Sequence, residues 1–283
     1  MEMNASLACS AEVVSAMTLK PIPLLAHPLQ APAAFTPESL LEAVRTVRSL
    51  PRDPVPPVCV LDFDGDLTDW VVSTGVAKTW KSWACFHTTM HALQVDGTIY
   101  GIVPRTIGGP YAVLVAEQLR ASGARVILGL TSAGRVAPSL PVPSLVVAAA
   151  AIRDEGTSYH YLPASQPAVA HAGLAESLLK GLEGLGISVL KGVVWTTDAP
   201  YRETKLQLVE CANQGVLAVE MQAASLFAFA IARDIPVGMV AHVTNAVDHE
   251  QAPFDKGSHE FSQRLLEAMC RATESFLRRG SDV

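Results

Sequence analysis

The stretch that most constrains the fold is 217–232, Leu-Ala-Val-Glu-Met-Gln-Ala-Ala-Ser-Leu-Phe-Ala-Phe-Ala-Ile-Ala. Small residues at Ala223, Ala224, Ala228, Ala230 and Ala232 let neighbours approach on every side. The segment is therefore expected as a buried helix with an acid–thioether–amide triplet, Glu220-Met221-Gln222, at its start. A carboxylate at that end gains from the helix dipole, which gives one reading, an N-terminal cap. The other is a clamp for a polyol: Glu220 and Gln222 accept hydrogen bonds from two vicinal hydroxyls while the Met221 thioether lies against an apolar ring face.

Hydrophobic residues make up 49% of the 283 and charged residues 17%. That is apolar for a water-soluble chain and points to extensive burial, subunit interfaces included, so a homo-oligomer is expected. No apolar run reaches the roughly 18 residues of a membrane span, and no signal-peptide pattern opens the chain, so no membrane partner and a cytoplasmic location are expected. Cys9, Cys59, Cys85, Cys211 and Cys270 are widely spaced, without a C-x-x-C pair, and read as reduced structural thiols; no metal is expected. A net charge of −6 with no lysine–arginine run argues against a nucleic-acid partner and leaves small-molecule chemistry.

Residues 1–35, with Pro21, Pro23, Pro28 and Pro32, read as an arm. Thr36-Pro37-Glu38 then opens a helix to about Ser49, giving an N-terminal arm and helix over 1–50 and a main α/β domain over 51–283. Apolar strands are expected at 58–61, 100–103, 126–130, 145–152, 192–195 and 236–243, with helices around 112–119, 166–186, 202–214 and 258–278. Several strands empty into polar loops: Asp62-Phe63-Asp64-Gly65-Asp66-Leu67-Thr68-Asp69, the turn Thr131-Ser132-Ala133-Gly134, the segment Arg153 to Tyr161, and Thr196 to Glu203. Ligands of open α/β sheets gather beyond such strand ends, and hydroxyl–glycine turns there suit anions. The first of these loops resembles the nucleophile motif of haloacid-dehalogenase-type phosphatases, but the downstream lysine and paired acidic motif that hold magnesium in those enzymes are not found.

Taken in order, Ile107-Gly108-Gly109-Pro110, Thr131-Ser132-Ala133-Gly134, Arg153-Asp154-Glu155-Gly156-Thr157-Ser158, Thr196-Thr197-Asp198-Ala199-Pro200-Tyr201 and Val219-Glu220-Met221-Gln222 resemble the nucleoside phosphorylase family, in its uridine and purine nucleoside phosphorylase branch. The resemblance covers roughly residues 58–280. It implies a three-layer α/β/α fold around a mixed, partly closed sheet, a dimer or a hexamer of dimers, and phosphorolysis of a nucleoside to free base and ribose 1-phosphate. Phosphate would be co-substrate and no cofactor is implied. The family's E-M-E triplet carries over to Glu220, Met221 and the substituted Gln222, with Val219 beside them, as the ribose site. Thr131 and Ser132 would position the nucleophile. Asn245 and Asp198 would bond the leaving base, with Thr197, Arg202 and His242 around it and Tyr201 or Tyr161 stacking on it.

The departures concern phosphate. Where the family places arginines, this chain has Leu128, the turn Asp62 to Asp66, and His87. Arg135, Arg105 and Arg202 are the available substitutes, Arg135 first. A buried dianion without cationic partners is costly, so three functions remain open: phosphorolysis, hydrolysis by a nucleosidase, and nucleoside binding without catalysis.

Overall fold

Alternation within the apolar runs builds the layers. A computed structural model describes residues 22–26, 28–246 and 257–281. In β1 (Val58–Asp62) Cys59 and Leu61 point into one hydrophobic cluster while Val58 and Val60 point into the other. β4 (Thr98–Pro104) and β5 (Val126–Arg135) flank it as parallel neighbours, and β2 (Ala77–Thr79) and β3 (His91–Val95) extend the sheet as an antiparallel edge. The first face is covered by α3 (Gly109–Ala121), through Val115 and Leu119, and by α6 (Ala223–Arg233), through Phe227 and Phe229. The second is covered by α2 (Asp66–Ser73), α4 (Ala172–Leu182) and α7 (His259–Ser281), through Leu67, Leu174, Leu178, Leu266 and Met269. α1 (Pro37–Arg48) sits at one side with Leu41 and Val44 against Ala84.

The sheet closes on itself at one end. β10 (Val237–Ala246) pairs with β5 and with β6 (Ser144–Asp154). β6 pairs with β8 (Ser188–Thr197), β8 with β9 (Val216–Glu220), and β9 returns to β5 at Gly134 and Arg135. β5, β10, β6, β8 and β9 thus form a closed ring, and β7 (Ala168–Val169) lies off it on β6. The three-layer α/β/α fold with a partly closed mixed sheet, expected from the resemblance, is what the chain adopts. Among the described residues no helix is long and apolar enough to cross a membrane.

Closure corrects several local expectations. Residues 217–232 are not one helix: Val216–Glu220 is a strand, because β8 and β5 supply its pairing, and the helix begins only at Ala223. Thr131 to Gly134 is not a turn but the continuation of β5, paired through Arg135 to β10. The helix expected over 166–186 is the shorter α4, preceded by β7, and that over 202–214 is α5 (Lys205–Asn213), capped by Thr204 and Gln207 in a capping box.

Gly129 lies in β5 opposite Met239 of β10, with no room for a side chain. A Cβ there would collide with the Met239 sulfur and come within 2.9 Å of Phe63. Gly129→Ala is expected to destabilise the fold by about 1–3 kcal/mol, seen as a lower urea midpoint at an unchanged slope.

Candidate active site

At the carboxyl end of β9 the backbone must pass from strand to helix within two residues. The first N–H groups of α6 have no helical partner there and are buried, so other acceptors must serve them. Glu220 supplies them: its Oε2 accepts the backbone N–H of Gln222 at 2.6 Å and of Ala223 at 2.8 Å. Thr196 stands beside Glu220 on β8; its hydroxyl donates to Glu220 Oε1 and accepts the Ala224 N–H at 2.9 Å. Burial pushes the Glu220 carboxyl up to about 7, over the pull of those hydrogen bonds, and the nearby Glu155 adds to the rise.

Held this way, the next two residues are fixed. The Gln222 side-chain carbonyl accepts the Met221 N–H at 3.2 Å and lies 3.4 Å from the Thr131 hydroxyl on β5. Its amide NH2 bonds no described residue. The Thr131 hydroxyl donates to the Ser132 carbonyl at 2.7 Å. On β10 the pairing with β5 slips between Val243 and Asn245. Strand alternation persists across the slip: His242 and Thr244 line one cavity and Asn245 another.

Asn245, Thr131, Ser132, Val219, Glu220, Met221 and Gln222 share one cavity of about 360 Å³, inside the roughly 300–1,000 Å³ range of small-ligand sites. Tyr201, fully exposed, stands at its rim. Ile107, Ala133, Gly134, Pro200, Glu203 and Asp64 complete the lining; of these, Glu203 and Asp64 were not singled out for the site in the sequence.

Other expected site residues lie elsewhere. Thr197, Asp198 and Arg202 line a second cavity, which shares Glu203 with the first, because strand parity turns Thr196 to the other side from Thr197. Asp198 Oδ2 accepts the Gly156 N–H at 2.8 Å and joins the ends of β8 and β6. Arg135 does not line the first cavity. His242 faces the opposite side of the sheet, tilted against Phe261 at 5.1 Å. Tyr161 packs edge-on against Phe229 and its hydroxyl donates to Glu117, so it cannot stack on a ligand in the first cavity. The polar segment after β6 folds on itself: Arg153 donates to Ser158 and to the carbonyls of Leu162, Pro163 and Gln166, and Glu155 accepts the Ser225 hydroxyl of α6.

The acidic end of β1 borders a neighbouring cavity of about 610 Å³, which shares Asp64, Thr131 and Ser132 with the first. Asp62 is buried and caps α2, accepting from Gly65 N, Thr68 N and the Thr68 hydroxyl; burial still holds its carboxyl above the usual range. Asp64 Oδ2 accepts the Ser132 N–H at 3.3 Å. Arg105, one of the substitute cations, ion-pairs with Asp69 and lines neither cavity. Among the described residues no group of three or more His, Cys, Asp or Glu is arranged for a metal.

Residues 69–278 match the family described as the phosphorylase superfamily. The chain belongs to that superfamily. Among its phosphorylase-superfamily relatives, the uridine phosphorylase of Salmonella typhimurium is 27% identical over 164 residues, covering 53% of this chain and 65% of that protein. The uridine phosphorylase of Thermococcus kodakarensis is 30% identical over 174 residues, 56% of this chain and 63% of its own length. The guanosine phosphorylase of Halorubrum lacusprofundi is 30% identical over 148 residues, 52% and 61%. The chain thus spans somewhat under two thirds of the length of these relatives.

Protonated Glu220 favours the folded state. Its contribution is complete below about pH 4.5 and is lost as the pH rises through about 7. Glu220→Gln is neutral throughout and retains a carbonyl for the Ala223 N–H. Between about pH 5 and about pH 8 wild type is expected to lose on the order of 3 kcal/mol relative to this variant, measured as the difference in urea midpoints.

Proposed function

We propose that the protein cleaves the N-glycosidic bond of a nucleoside and releases the free base, with phosphate as acceptor and ribose 1-phosphate as second product. The observation that carries this is the single cavity joining Glu220, Met221 and Gln222 to Thr131, Ser132 and Asn245. Breaking that bond leaves positive charge on the sugar and negative charge on the base, so a catalyst must hold the furanose, stabilise the departing base and station a nucleophile at the anomeric carbon. Met221 offers an apolar surface to the ring. The Gln222 amide donates to a sugar hydroxyl, and Glu220 Oε1 keeps a lone pair for another beside its bond to Thr196. Asn245 donates to the base. Thr131 and Ser132 hold the acceptor and, since Arg135 does not line the cavity, a cation from a second copy in a homo-oligomer balances its charge.

A second reading, water as the nucleophile, is favoured by Asp64. Its carboxylate accepts the Ser132 N–H, a donor that an anionic acceptor would otherwise use. Two like unit charges about 4 Å apart near a protein surface repel by roughly 4 kcal/mol, enough to disfavour phosphate strongly unless a cation offsets it. An ionised carboxylate at the same place can take a proton from water.

Purified protein with a panel of nucleosides, with and without phosphate, decides between acceptors. Phosphorolysis requires base release that depends on phosphate, and hydrolysis gives the same release in its absence. Asp64→Asn is expected to raise phosphate-dependent turnover if phosphate is the acceptor, and to lower phosphate-free turnover by about 100-fold or more if water is. Nucleoside binding with no base released under either condition would sink both.

Gln222→Ala is expected to lower kcat/KM by about 10- to 100-fold without lowering the urea midpoint by a comparable free energy. An unchanged kcat/KM would remove the sugar-site assignment.

A further inference from the structure

The Gln222 side chain is only 2% exposed, yet half of its polar capacity is unused. Its carbonyl accepts the Met221 N–H at 3.2 Å and lies 3.4 Å from the Thr131 hydroxyl, while its NH2 group bonds no described residue. The Met221 N–H can only donate, so the atom facing it is the carbonyl oxygen and the other end of the amide is the NH2. Turning the amide over would set two donors against each other and leave that N–H unpaired. Gln222 lines the cavity with Glu220, Met221 and Asn245. It therefore offers a ligand donors and no acceptor, and a buried donor without a partner is completed by the ligand.

This decides what the sugar must bring. A hydroxyl facing a carboxylate has to donate, because an ionised carboxylate is an acceptor only. A hydroxyl facing the Gln222 NH2 has to accept, and its own hydrogen takes no part. An ether oxygen serves there as well, whereas a deoxy carbon neither accepts nor donates. Space at that point is open: Thr131, beside the Gln222 carbonyl, also lines the neighbouring cavity of about 610 Å³, as does the apolar Leu130. The other hydroxyl of the vicinal pair meets the opposite demand. Glu220 Oε1, beside its bond to Thr196, offers it an acceptor, so that hydroxyl must keep its hydrogen.

Resting on the nucleoside reading above, we propose that Gln222 reads a sugar oxygen without reading its hydrogen, so that the protein takes nucleosides O-methylated at that one sugar position alongside the parent ribonucleosides. The specificity is asymmetric. At the Gln222 position a methyl ether keeps the bond and a deoxy sugar loses it. At the Glu220 position the ether presents an oxygen to an oxygen and is rejected.

The test is calorimetric binding to the full chain in phosphate-free buffer. Uridine and guanosine are compared first, and then, for whichever binds more tightly, its 2′-deoxy, 3′-deoxy, 2′-O-methyl and 3′-O-methyl derivatives. At one of the two positions wild type is expected to bind the ether within about threefold of the parent, and about 10- to 100-fold more tightly than the deoxy compound. Gln222→Met, with circular dichroism to verify folding, is expected to bind that ether and that deoxy compound within about threefold of each other. A purely structural role would weaken every ligand by one factor and preserve the gap. Ethers that bind no more tightly than the deoxy compounds at both positions, or a gap that survives in Gln222→Met, would each overturn the proposal; if that variant does not fold, the wild-type ranking decides alone. No binding of either parent nucleoside removes the nucleoside reading and this proposal with it. The expected ranking without base release, with or without phosphate, keeps the proposal and removes the proposed reaction. Base release from the parent with both ethers rejected does the reverse.

Discussion

The buried carboxyl of Glu220 is the interaction on which the rest of the site depends. A strand ending inside the protein and a helix starting two residues later leave N–H groups where water cannot reach them, at about 1–3 kcal/mol for each one unpaired. Glu220 takes two of these and Thr196 a third, while the Thr196 hydroxyl closes back on Glu220. One side-chain pair therefore fixes β8, β9 and the start of α6 to each other. The Glu155–Ser225 bond adds a second tie at the next residue, from the end of β6. Met221 and Gln222 are then presented by a rigid frame, and Gln222 extends that frame to Thr131 on β5. The cap reading and the clamp reading of the triplet turn out to be compatible: the acid holds the turn, and the turn holds the thioether and the amide.

Much of this architecture was legible in the sequence, and what was not had physical causes. Fully buried strands such as β1 and the middle of β10, and helices with a cap and an amphipathic face such as α1, carry their own signals. Leu217 to Glu220 carries none, since Leu-Ala-Val-Glu suits helix and strand alike and only pairing with β8 and β5 decides. Thr131 to Gly134 looked like a turn for the same reason: small residues are permissive, and the closing of the ring makes them strand. The β3–β4 hairpin, which was not singled out in the sequence, turns at Asp96-Gly97 with both turn residues at positive φ.

The site was legible as a set of strand tips but not side by side. Resemblance brought Thr131, Ser132, Asn245 and the triplet to one cavity, yet it could not say which way Asp198 points. A single residue of parity separates Thr196, turned into the core, from Thr197 and Asp198, turned to the other cavity. The same alternation in β10 separates Thr244, on the His242 side, from Asn245, and only the pairing of β10 with β5 decides which side holds the first cavity.

The acids at these strand ends sort by partner rather than by motif. Asp62 sits in what reads as a nucleophile motif, yet it is held by Gly65 and Thr68 and serves as the cap of α2. That cap also places a carboxylate at the helix end, where an anion would otherwise gain from the N–H groups and the dipole. Asp64, two residues on, is turned outward and touches the first N–H beyond Thr131. The consequence is directional. Under the proposed reaction, Asp64 places a carboxylate beside Thr131 and Ser132, where the attacking group would be held, while Met221 and Gln222 offer the sugar a thioether and an amide. A site with that polarity favours a neutral or cation-escorted nucleophile beneath a sugar that becomes positive, and the carboxylate that repels an incoming anion lowers the energy of the cationic sugar on the same side.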